Sequence, residues 1–360
     1  MTKDKVLNYD AEQIKTLEGR DHVRKRPSMY IGSTANPNHL AIEVMANSID
    51  EAINGYGDNI IFTLDKDKKG LRVRDYGRGI PVNTVREDGL TTLEASFSVL
   101  NTSGKFDQNA FQTSIGTNGI GGKAANFLSA LFEVSTIRDG KKEMLIFKEG
   151  VLQDRKIEST TEKNGVMVYF RPDDTKFTTV EFDTKLLNET LKQASYLNRG
   201  VSFTFNDLSI DKETVYLSKN GLGDYVKELA QDSKLITSND LYINHVEEGF
   251  GIEIAMSYSQ SSNEIVKTFA NTGYTPDNGT HLTAVRTCLT RQLNNYASEA
   301  KLFKDGEKNL TGKEYSEGLI LVLNVNMPDM GYDSQAKTKV TDTRCAGLIN
   351  PIMNEAIADW

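Results

Sequence analysis

The order of a helix pattern and a hairpin pattern near the start of the chain constrains its fold most strongly. Residues 40–54 repeat apolar side chains at helical spacing and leave polar side chains on another face, which predicts an amphipathic helix. The β-rich runs 59–64 and 71–74 flank the turn-like segment DKDKKG and predict a hairpin that ends at Asp75. The predicted apolar positions of the helix are Ile42, Met45, Ile49, Ala52 and Ile53, and the polar ones are Glu43, Asn47, Asp50 and Asn54.

Later segments continue this mixture of helix and strand. Helices are predicted at 91–101, 123–131, 181–197 and 281–299, and a last helix closes the chain. Strands are predicted at 133–137, 143–148, 165–171, 201–206, 251–258, 264–270 and 318–325. The turn-rich segment SKNGLGD at 218–224 is the candidate domain boundary. Beyond it the pattern restarts, which predicts a second, smaller α/β unit.

Composition argues against several classes of protein. The formal net charge of −8 argues against a large basic surface for nucleic acid, although it leaves room for a local one. Cys288 and Cys345 are too few for a disulfide framework and lack the spacing of a zinc site, so both are predicted to be thiols. No signal-peptide core or membrane span is evident, so we expect a cytoplasmic protein. The short charge runs 24–26 and 66–69 are predicted to be solvated.

Glu43 and Asn47 are the first pair of candidate catalytic residues. They lie four apart on the predicted helix, so their side chains point to the same side about one turn apart. In ATP hydrolysis, a carboxylate can orient and deprotonate the attacking water while a carboxamide oxygen holds Mg²⁺. His39 lies four residues before Glu43 and is placed to hydrogen-bond to its carboxylate or to the water. On the first pair alone, a solvated polar helix face is the more common explanation.

Asp75 follows the predicted hairpin directly and opens the segment DYGRGIP. Gly77 and Gly79 allow positive φ or the close approach of a flat ligand to the backbone. A carboxylate at this position can accept a hydrogen bond from the amino group of adenine. An ordinary glycine-rich turn is the usual explanation of such a segment in isolation. The position of this segment, one hairpin after the helix of Glu43, favours the adenine-binding interpretation over an ordinary turn.

The glycine-rich stretch GTNGIGGK at 116–123 opens a predicted helix, so its backbone amides and the positive helix end are available to a polyphosphate. It imitates two common motifs. As a P-loop it fails at both ends, because Thr117 and Ala124 stand where a glycine and a serine or threonine belong. As a dinucleotide-binding loop it fits by letter, but the polar segment before it does not resemble the buried strand that such a loop requires.

Taken together, these motifs resemble the N-terminal region of the gyrase B and topoisomerase IV subunit family of type IIA DNA topoisomerases, within the Bergerat-fold ATPases. The run LEGRDHVRKRPSMYIGST at 17–34 is similar to a signature of that subfamily. It is followed in order by EVMANSIDEAING, RDYGRGIPV, SGKFDQNAF, GTNGIGGKAANFLSA and DSQAKTK. The resemblance extends from about Tyr9 to the end of the chain.

The resemblance implies an α+β fold with three parts. Residues 1–16 are expected to form an N-terminal arm that exchanges between subunits. Residues 17–221 are expected to form the Bergerat-fold domain, a mixed eight-stranded sheet layered with helices. Residues 222–360 are expected to form a transducer domain similar to ribosomal protein S5.

The resemblance also implies roles for individual residues. Glu43 would be the general base, assisted by His39, and Asn47 would be the Mg²⁺ ligand. Asp75 would accept the adenine amino group, and Lys337 would contact the γ-phosphate and signal its presence. Tyr9 and Ile14 match an arm that crosses to the partner subunit, where Tyr9 would help to complete the partner's nucleotide site. The remaining expected nucleotide contacts are Gly77, Ile80, Gly104, Lys105, Asn118, Gly119, Ile120, Gly121, Gly122, Val166 and Gln335.

Four positions depart from the usual pattern of the family. Val166 stands where threonine usually assists adenine recognition, and valine has no hydrogen-bonding group. Phe111 replaces the usual tyrosine, Asn118 the usual histidine, and Ala336 a threonine beside Lys337. These departures suggest a divergent member of the family, with a viral or plasmid-borne origin as a hypothesis.

The function implied is ATP hydrolysis coupled to the passage of DNA strands. ATP would close a homodimer around a double-stranded DNA segment, and hydrolysis would reset it. A partner subunit or downstream domain would cleave DNA, because no cleavage motif is recognisable before Trp360. Two alternatives stay open: a nucleotide-gated dimerisation module with little turnover, and a MutL-type repair clamp. On the long second-domain helix or just after it, Arg286, Arg291 and Lys301 are candidate DNA contacts, although a solvated surface is the more common explanation.

Overall fold

Two β-sheets with packed helices form the part of the chain that the computed structural model describes. That part comprises residues 17–100, 102, 119–231, 233–237, 239–247, 249–304, 306–334 and 337–360. The expected arm at 1–16 and several expected nucleotide contacts, namely Tyr9, Gly104, Lys105, Asn118 and Gln335, lie outside it.

The first sheet has eight strands. They are β1 (Asn59–Leu64), β2 (Leu71–Asp75), β3 (Ser129–Arg138), β4 (Lys141–Lys148), β5 (Val151–Ser159), β6 (Gly165–Pro172), β7 (Ser202–Asp207) and β8 (Lys212–Tyr216). Their order across the sheet is β5-β4-β3-β6-β2-β1-β7-β8. β1 pairs with β7 in parallel, whereas the other pairs in this order are antiparallel. The sheet is therefore mixed, as expected.

Helices pack on this sheet and enclose its core. They are α1 (Gly19–Lys25), α2 (Ser28–Ile31), α3 (Asn38–Ile53), α4 (Thr92–Ser98), α5 (Gly121–Phe127) and α6 (Thr184–Leu197). α3 contributes buried apolar side chains such as Leu40 and Val44 to a cluster with phenylalanines of the sheet, including Phe132 and Phe170. Burial of this apolar face holds α3 against the sheet. The polar side of α3 is left to face α5 and the end of β2.

The second sheet has five strands: β9 (Leu241–Glu247), β10 (Phe250–Tyr258), β11 (Ile265–Ala270), β12 (Gly273–Tyr274) and β13 (Leu319–Asn326). Their order is β12-β11-β13-β10-β9. β13 is central and buried on both faces, which explains its continuous apolar run LILVLNV. The helices of this unit are α7 (Leu222–Ala230), α8 (Thr280–Glu299) and α9 (Arg344–Asp359), with a short 3₁₀ helix at Glu314–Ser316.

A third apolar cluster joins the two units. It contains Leu197 of α6, Leu222 and Val226 of α7, and side chains of the second sheet such as Phe269. Tyr196 and Tyr225 stack across this contact, with ring centroids 4.7 Å apart and planes 10° apart. The boundary expected at 221 therefore falls between β8 and α7, at a packed junction.

Most predicted elements are present within a few residues of their expected bounds. The helix at 40–54 is α3, and the hairpin is formed by β1 and β2. The predicted helix at 123–131 is wrong at its C-terminal end, because α5 ends at Phe127 and β3 begins at Ser129. The strands β5, β8, β9 and β12 were not expected, and each of them lies at an edge of its sheet. The side chains of β5 and β8 are mostly exposed, so these two strands lack an apolar pattern.

Three side chains contradict the predicted solvation pattern. Asp50, expected on the polar stripe of α3, is fully buried, whereas Ile53 in the last turn is 40% exposed. Arg24, expected to be solvated, forms ion pairs with Asp173 at 2.7 Å and Glu149 at 2.5 Å. It also donates to the carbonyl of Phe127 at the end of α5. Arg24 therefore ties α1 to the C-terminal end of that helix.

Cys288 and Cys345 are both buried and unpaired with each other. Within the described residues, none of the helices is long and apolar enough to cross a membrane.

Candidate functional site

Asp75, the last residue of β2, lies in a small buried network. Its Oδ1 accepts hydrogen bonds from the backbone N–H groups of Gly77 and Val166, each at 3.0 Å. Its Oδ2 accepts one from the hydroxyl of Ser48 on α3, also at 3.0 Å. Burial raises the pKa of Asp75, and the three hydrogen bonds oppose that rise. A carboxylate has about four acceptor positions, so these three bonds leave capacity for a further donor.

The segment after Asp75 is fixed against the last turns of α3. Arg78 donates to both oxygens of Glu51, at 2.9 Å and 3.1 Å, and its guanidinium lies 4.2 Å from the ring centroid of Tyr56. These contacts raise the pKa of Arg78, chiefly through the hydrogen bonds to Glu51. A side chain at Gly79 would come within 2.3 Å of the carbonyl oxygen of Ile137, and its φ of +73° favours glycine. These contacts hold the backbone at Arg78 and Gly79 in a single conformation.

Ile80, an expected nucleotide contact, is bound to strand β3 through both of its backbone polar groups. Its N–H donates to Thr136 Oγ1 at 2.7 Å, and its carbonyl accepts from the same hydroxyl at 2.9 Å. Thr136 is paired with Val166 across β3 and β6. Val166 thus contributes its backbone N–H to the Asp75 network although its side chain has no polar group.

Glu43 and His39 are neighbours one turn apart on α3. His39 Nε2 lies 3.2 Å from Glu43 Oε1, and the two side chains are about one third exposed, at 36% and 33%. The carboxylate packs against the start of α5, because a Cβ atom at Gly121 would lie 1.9 Å from Glu43 Oε2. Only glycine leaves room for this carboxylate. The candidate base therefore lies against the N-terminal backbone of the glycine-rich helix and is partly open to solvent.

Asn47 of α3 faces Gly122, the residue that follows Gly121 in α5. A Cβ atom at Gly122 would lie 3.3 Å from Asn47 Nδ2 and 3.0 Å from a ring carbon of Phe97 on α4. Phe97 also accepts a hydrogen bond through its carbonyl from Asn126 of α5 at 3.0 Å. The structure thus brings Glu43, Asn47, Gly121 and Gly122 together, and their roles toward a nucleotide stay predictions.

Lys123 does not act as a P-loop lysine would. Its side chain is 3% exposed, and its Nζ donates to the carbonyls of Thr102 at 2.7 Å and Gly119 at 2.5 Å. It therefore connects α5 to the backbone of Thr102 and Gly119. The dinucleotide alternative also fails, since it needs a parallel β-α-β unit. The strand that follows α5 is β3, and both of its neighbours are antiparallel to it.

Lys337 lies in the second unit, in the loop between β13 and α9. Its φ is +56°, and its Nζ lies 5.7 Å from the ring centroid of Tyr332. The structure describes contacts of Lys337 within its own unit, and the expected approach to the γ-phosphate stays a prediction.

Several residues that shape the site had not been predicted. Ser48, Glu51 and Thr136 hold Asp75, Arg78 and Ile80 respectively. Glu51 follows Asn47 by four residues, so continuing the helical stripe by one turn would have found it. Ser48 and Thr136 carry no comparable signal, because their roles depend on how α3 and β3 pack around β2.

Asn47 is the candidate ligand for Mg²⁺ at this site. Among the described residues there is no group of three or more histidine, cysteine or acidic side chains suited to hold an ion. Mg²⁺ commonly takes one or two protein oxygens and completes its shell with phosphate and water. The amide of Asn47, one turn from Glu43, fits an ion held mostly by a phosphate ligand.

Comparison with known proteins identifies relatives across nearly the whole chain. A family model described as DNA gyrase B matches residues 221–360. The DNA gyrase B protein of Streptococcus pyogenes serotype M1 is 37% identical over 358 residues, covering 98% of this chain and 55% of that protein. The DNA topoisomerase 4 B protein of Mycoplasma capricolum subsp. capricolum is 38% identical over the same coverage. The chain spans about half the length of these relatives.

Solved structures share the fold of both units. The 43K ATPase domain of Thermus thermophilus gyrase B, in complex with an aminocoumarin, is 29% identical with a TM-score of 0.78. The match covers 94% of this chain and 89% of that domain. The ATP-binding domain of Francisella tularensis topoisomerase IV, at 23% identity and a TM-score of 0.75, shares the fold. The expected Bergerat-fold domain and transducer are thereby confirmed as the fold of this chain.

Proposed function

We propose, because this chain belongs to the gyrase B and topoisomerase IV B family of type IIA topoisomerase subunits and matches their ATPase part, that it is an ATP-gated dimerisation clamp. In this proposal, the chain binds ATP with Mg²⁺, closes a homodimer around double-stranded DNA and reopens after hydrolysis. The observation that carries the proposal is the position of the Glu43 carboxylate, which lies between His39 and the backbone of Gly121.

Adenine recognition is assigned to the Asp75 network. The carboxylate is held by Gly77, Val166 and Ser48, so it cannot turn away from a ligand at the end of β2. A fixed, buried acceptor suits the amino group of adenine, since a hydrogen bond to a charged group is stronger in a site that excludes water. Backbone donors supply two of the three holding bonds, which explains how valine is accommodated at position 166.

Hydrolysis is assigned to Glu43. A carboxylate that remains partly open to solvent can accept a proton from a water molecule, provided that the water lies within hydrogen-bond distance. His39 contacts Oε1, and Oε2 lies on the side of Gly121. The polyphosphate is expected at the start of α5, because the first backbone N–H groups of a helix have no partner within the helix. Bound Mg²⁺, held in part by Asn47, would neutralise phosphate charge.

Closure of the clamp is assigned to residues of both units. Lys337 is proposed to bind the γ-phosphate, and Tyr9 and Ile14 to complete the partner's site. The junction at Tyr196 and Tyr225 connects the nucleotide-binding unit to the second unit. Arg286 on α8 is proposed to face the captured DNA. It is paired with Glu264 at 2.6 Å and remains 44% exposed, so a phosphate can compete for it.

The experiment that tests this proposal measures nucleotide binding and molar mass on the same chain. A non-hydrolysable ATP analogue with Mg²⁺ should double the mass seen by light scattering, whereas ADP should bind without that effect. Deletion of residues 1–15 should abolish the dimer and leave ADP binding intact. Failure of both nucleotides to bind would overturn the proposal. Binding of the analogue without a change of mass would contradict the clamp, and binding with negligible hydrolysis would favour the nucleotide switch.

A further inference from the structure

A buried carboxylate outside the proposed nucleotide contacts holds the loop that follows them. Glu143 on β4 is 0% exposed. Its Oε2 accepts a hydrogen bond from the backbone N–H of Asn83 at 2.8 Å, and its Oε1 accepts one from the hydroxyl of Thr91 at 2.9 Å. The guanidinium of Arg155 on β5 lies 3.2 Å from the same Oε1 and donates to the side chain of Asn83 at 2.9 Å. We name the group formed by Glu143, Arg155, Asn83 and Thr91 the Glu143 clamp.

The Glu143 clamp closes the loop 82–91 at both ends. Asn83 lies near its start with φ of +53°, a conformation that asparagine tolerates better than most residues. Thr91 lies at its end and is the N-cap of α4, because its hydroxyl also accepts from the N–H of Glu94 at 3.2 Å. One carboxylate therefore sets both the exit of the loop from the Asp75 segment and the first turn of α4.

The position of α4 passes on to the candidate catalytic residues through α5. Phe97 near the end of α4 contacts Gly122 with its ring and Asn126 with its carbonyl. The first residues of α5, Gly121 and Gly122, lie against Glu43 and Asn47. A continuous set of contacts thus leads from β4 through α4 and α5 to the proposed base and Mg²⁺ ligand.

We propose that Glu143 is a positioning residue for ATP turnover, which acts by fixing α4 and, through α5, the backbone beside Glu43. The inference rests on the proposed function and names a residue that does not touch the nucleotide. The adenine network is anchored separately, by Ser48 and by the backbone of Gly77 and Val166. Ile80 is likewise held by Thr136. Loss of the Glu143 clamp should therefore disturb the phosphate end of the site more than the adenine end.

The substitution Glu143→Gln preserves the shape of the side chain and changes its hydrogen-bonding capacity. An amide keeps one acceptor oxygen and no charge, so it loses the ion pair with Arg155 and cannot accept from both Asn83 and Thr91. The hydrogen bonds that hold the loop are thereby weakened or reversed in direction, and we expect the loop to shift. A small misplacement of catalytic groups is costly for chemistry, so we expect kcat for ATP to fall about tenfold or more. The dissociation constant of ADP should change less than about threefold, the range of a modest contact loss.

The experiment compares Glu143→Gln with Glu162→Gln in steady-state ATP hydrolysis, ADP calorimetry and amide hydrogen exchange without nucleotide. Glu162 lies between β5 and β6 and pairs at 2.7 Å with Lys142, which is on the same strand as Glu143. The Glu162 side chain is 51% exposed, so this variant controls for the loss of a carboxylate. The inference predicts a selective loss of kcat in Glu143→Gln and faster exchange across residues 83–98. Wild-type values in Glu162→Gln complete the expected pattern.

A second pair of variants guards against a general loss of folding. Thr91→Ser keeps the hydroxyl that binds Glu143 and caps α4, whereas Thr91→Val removes it at similar volume. The inference predicts near-normal kcat for serine and a loss like that of Glu143→Gln for valine. Unchanged kcat and exchange in Glu143→Gln, or equal losses of kcat and ADP affinity in both damaging variants, would overturn it. Absence of ATP turnover in the unmodified chain would instead reject the proposed function. The hydrogen-exchange data alone would then decide whether the Glu143 clamp holds α4.

Discussion

Asp75→Asn separates adenine recognition from folding. The native carboxylate is buried, and burial raises its pKa, so the folded state disfavours the ionised form. The sign follows from proton linkage: a raised pKa in the folded state lowers stability as the pH rises through it. At neutral pH the ionised carboxylate therefore costs folding free energy, which asparagine removes. The amide oxygen can still accept from Gly77 and Val166, so we expect the free energy of unfolding to stay equal or rise slightly.

The same substitution should weaken nucleotide binding strongly. A hydrogen bond to a charged acceptor contributes about 1.5–3 kcal/mol, and asparagine would also turn an N–H toward the adenine amino group. Since about 1.4 kcal/mol corresponds to a tenfold change, the dissociation constant of ADP should rise at least about tenfold and up to about a hundredfold. Because the pKa of Asp75 is raised, ADP binding by the unmodified chain should also weaken as the pH falls, beginning above the range of an ordinary aspartate.

Calorimetric titration with ADP tests the predicted loss of affinity, and urea unfolding of the same samples tests the predicted stability. Asp65→Asn is a suitable control, because Asp65 is 31% exposed and pairs with Arg171 on the same sheet. It should leave ADP binding unchanged. A large loss of stability in Asp75→Asn, matched by the loss of binding, would show that Asp75 is structural. Unchanged ADP binding in a folded variant would refute the adenine assignment.

Three further predictions concern both units. Burial lowers the pKa of His281 to about 4, so the second unit should lose up to about 3 kcal/mol of stability as the pH falls from 6.5 towards 4; urea unfolding should show this loss, and His281→Gln should remove it. Gly79→Ala should destabilise the first unit by about 1–3 kcal/mol, because of its positive φ and the close carbonyl of Ile137; an unchanged melting curve would be inconsistent with that strain. Lys337→Ala should lower ATP turnover about tenfold or more and leave ADP affinity intact, and equal losses would argue against a γ-phosphate sensor.

The helix-and-hairpin framework was predictable because its signals are local. The period of apolar residues defines α3, and the turn between β1 and β2 defines the hairpin. The candidates Glu43, Asn47 and Asp75 follow from these elements and from the order of motifs. The arrangement of Gly121 and Gly122 against α3 was expected only from the family resemblance.

The supports of the site were not predictable, because they depend on contacts between distant strands. The partner of Asp75 at Val166 is a backbone N–H, which leaves no trace in residue type. Glu143 appears in sequence as one charge in a polar run, yet it is fully buried in the fold. Edge strand β5 gave no alternation because most of its side chains are exposed on both faces. Pairing across the sheet, and not local pattern, decides these positions.

The most direct test of the central claim is Mg²⁺-dependent ATP hydrolysis by Glu43→Gln, compared with the unmodified chain and with Glu189→Gln as an exposed control. General-base catalysis contributes about 10²–10⁴-fold, so kcat should fall at least about a hundredfold while ADP binding is retained. In the unmodified chain, turnover should rise faster than linearly with protein concentration. Turnover by Glu43→Gln equal to that of the control would contradict the assignment of Glu43 as the base, and with it the account of this site.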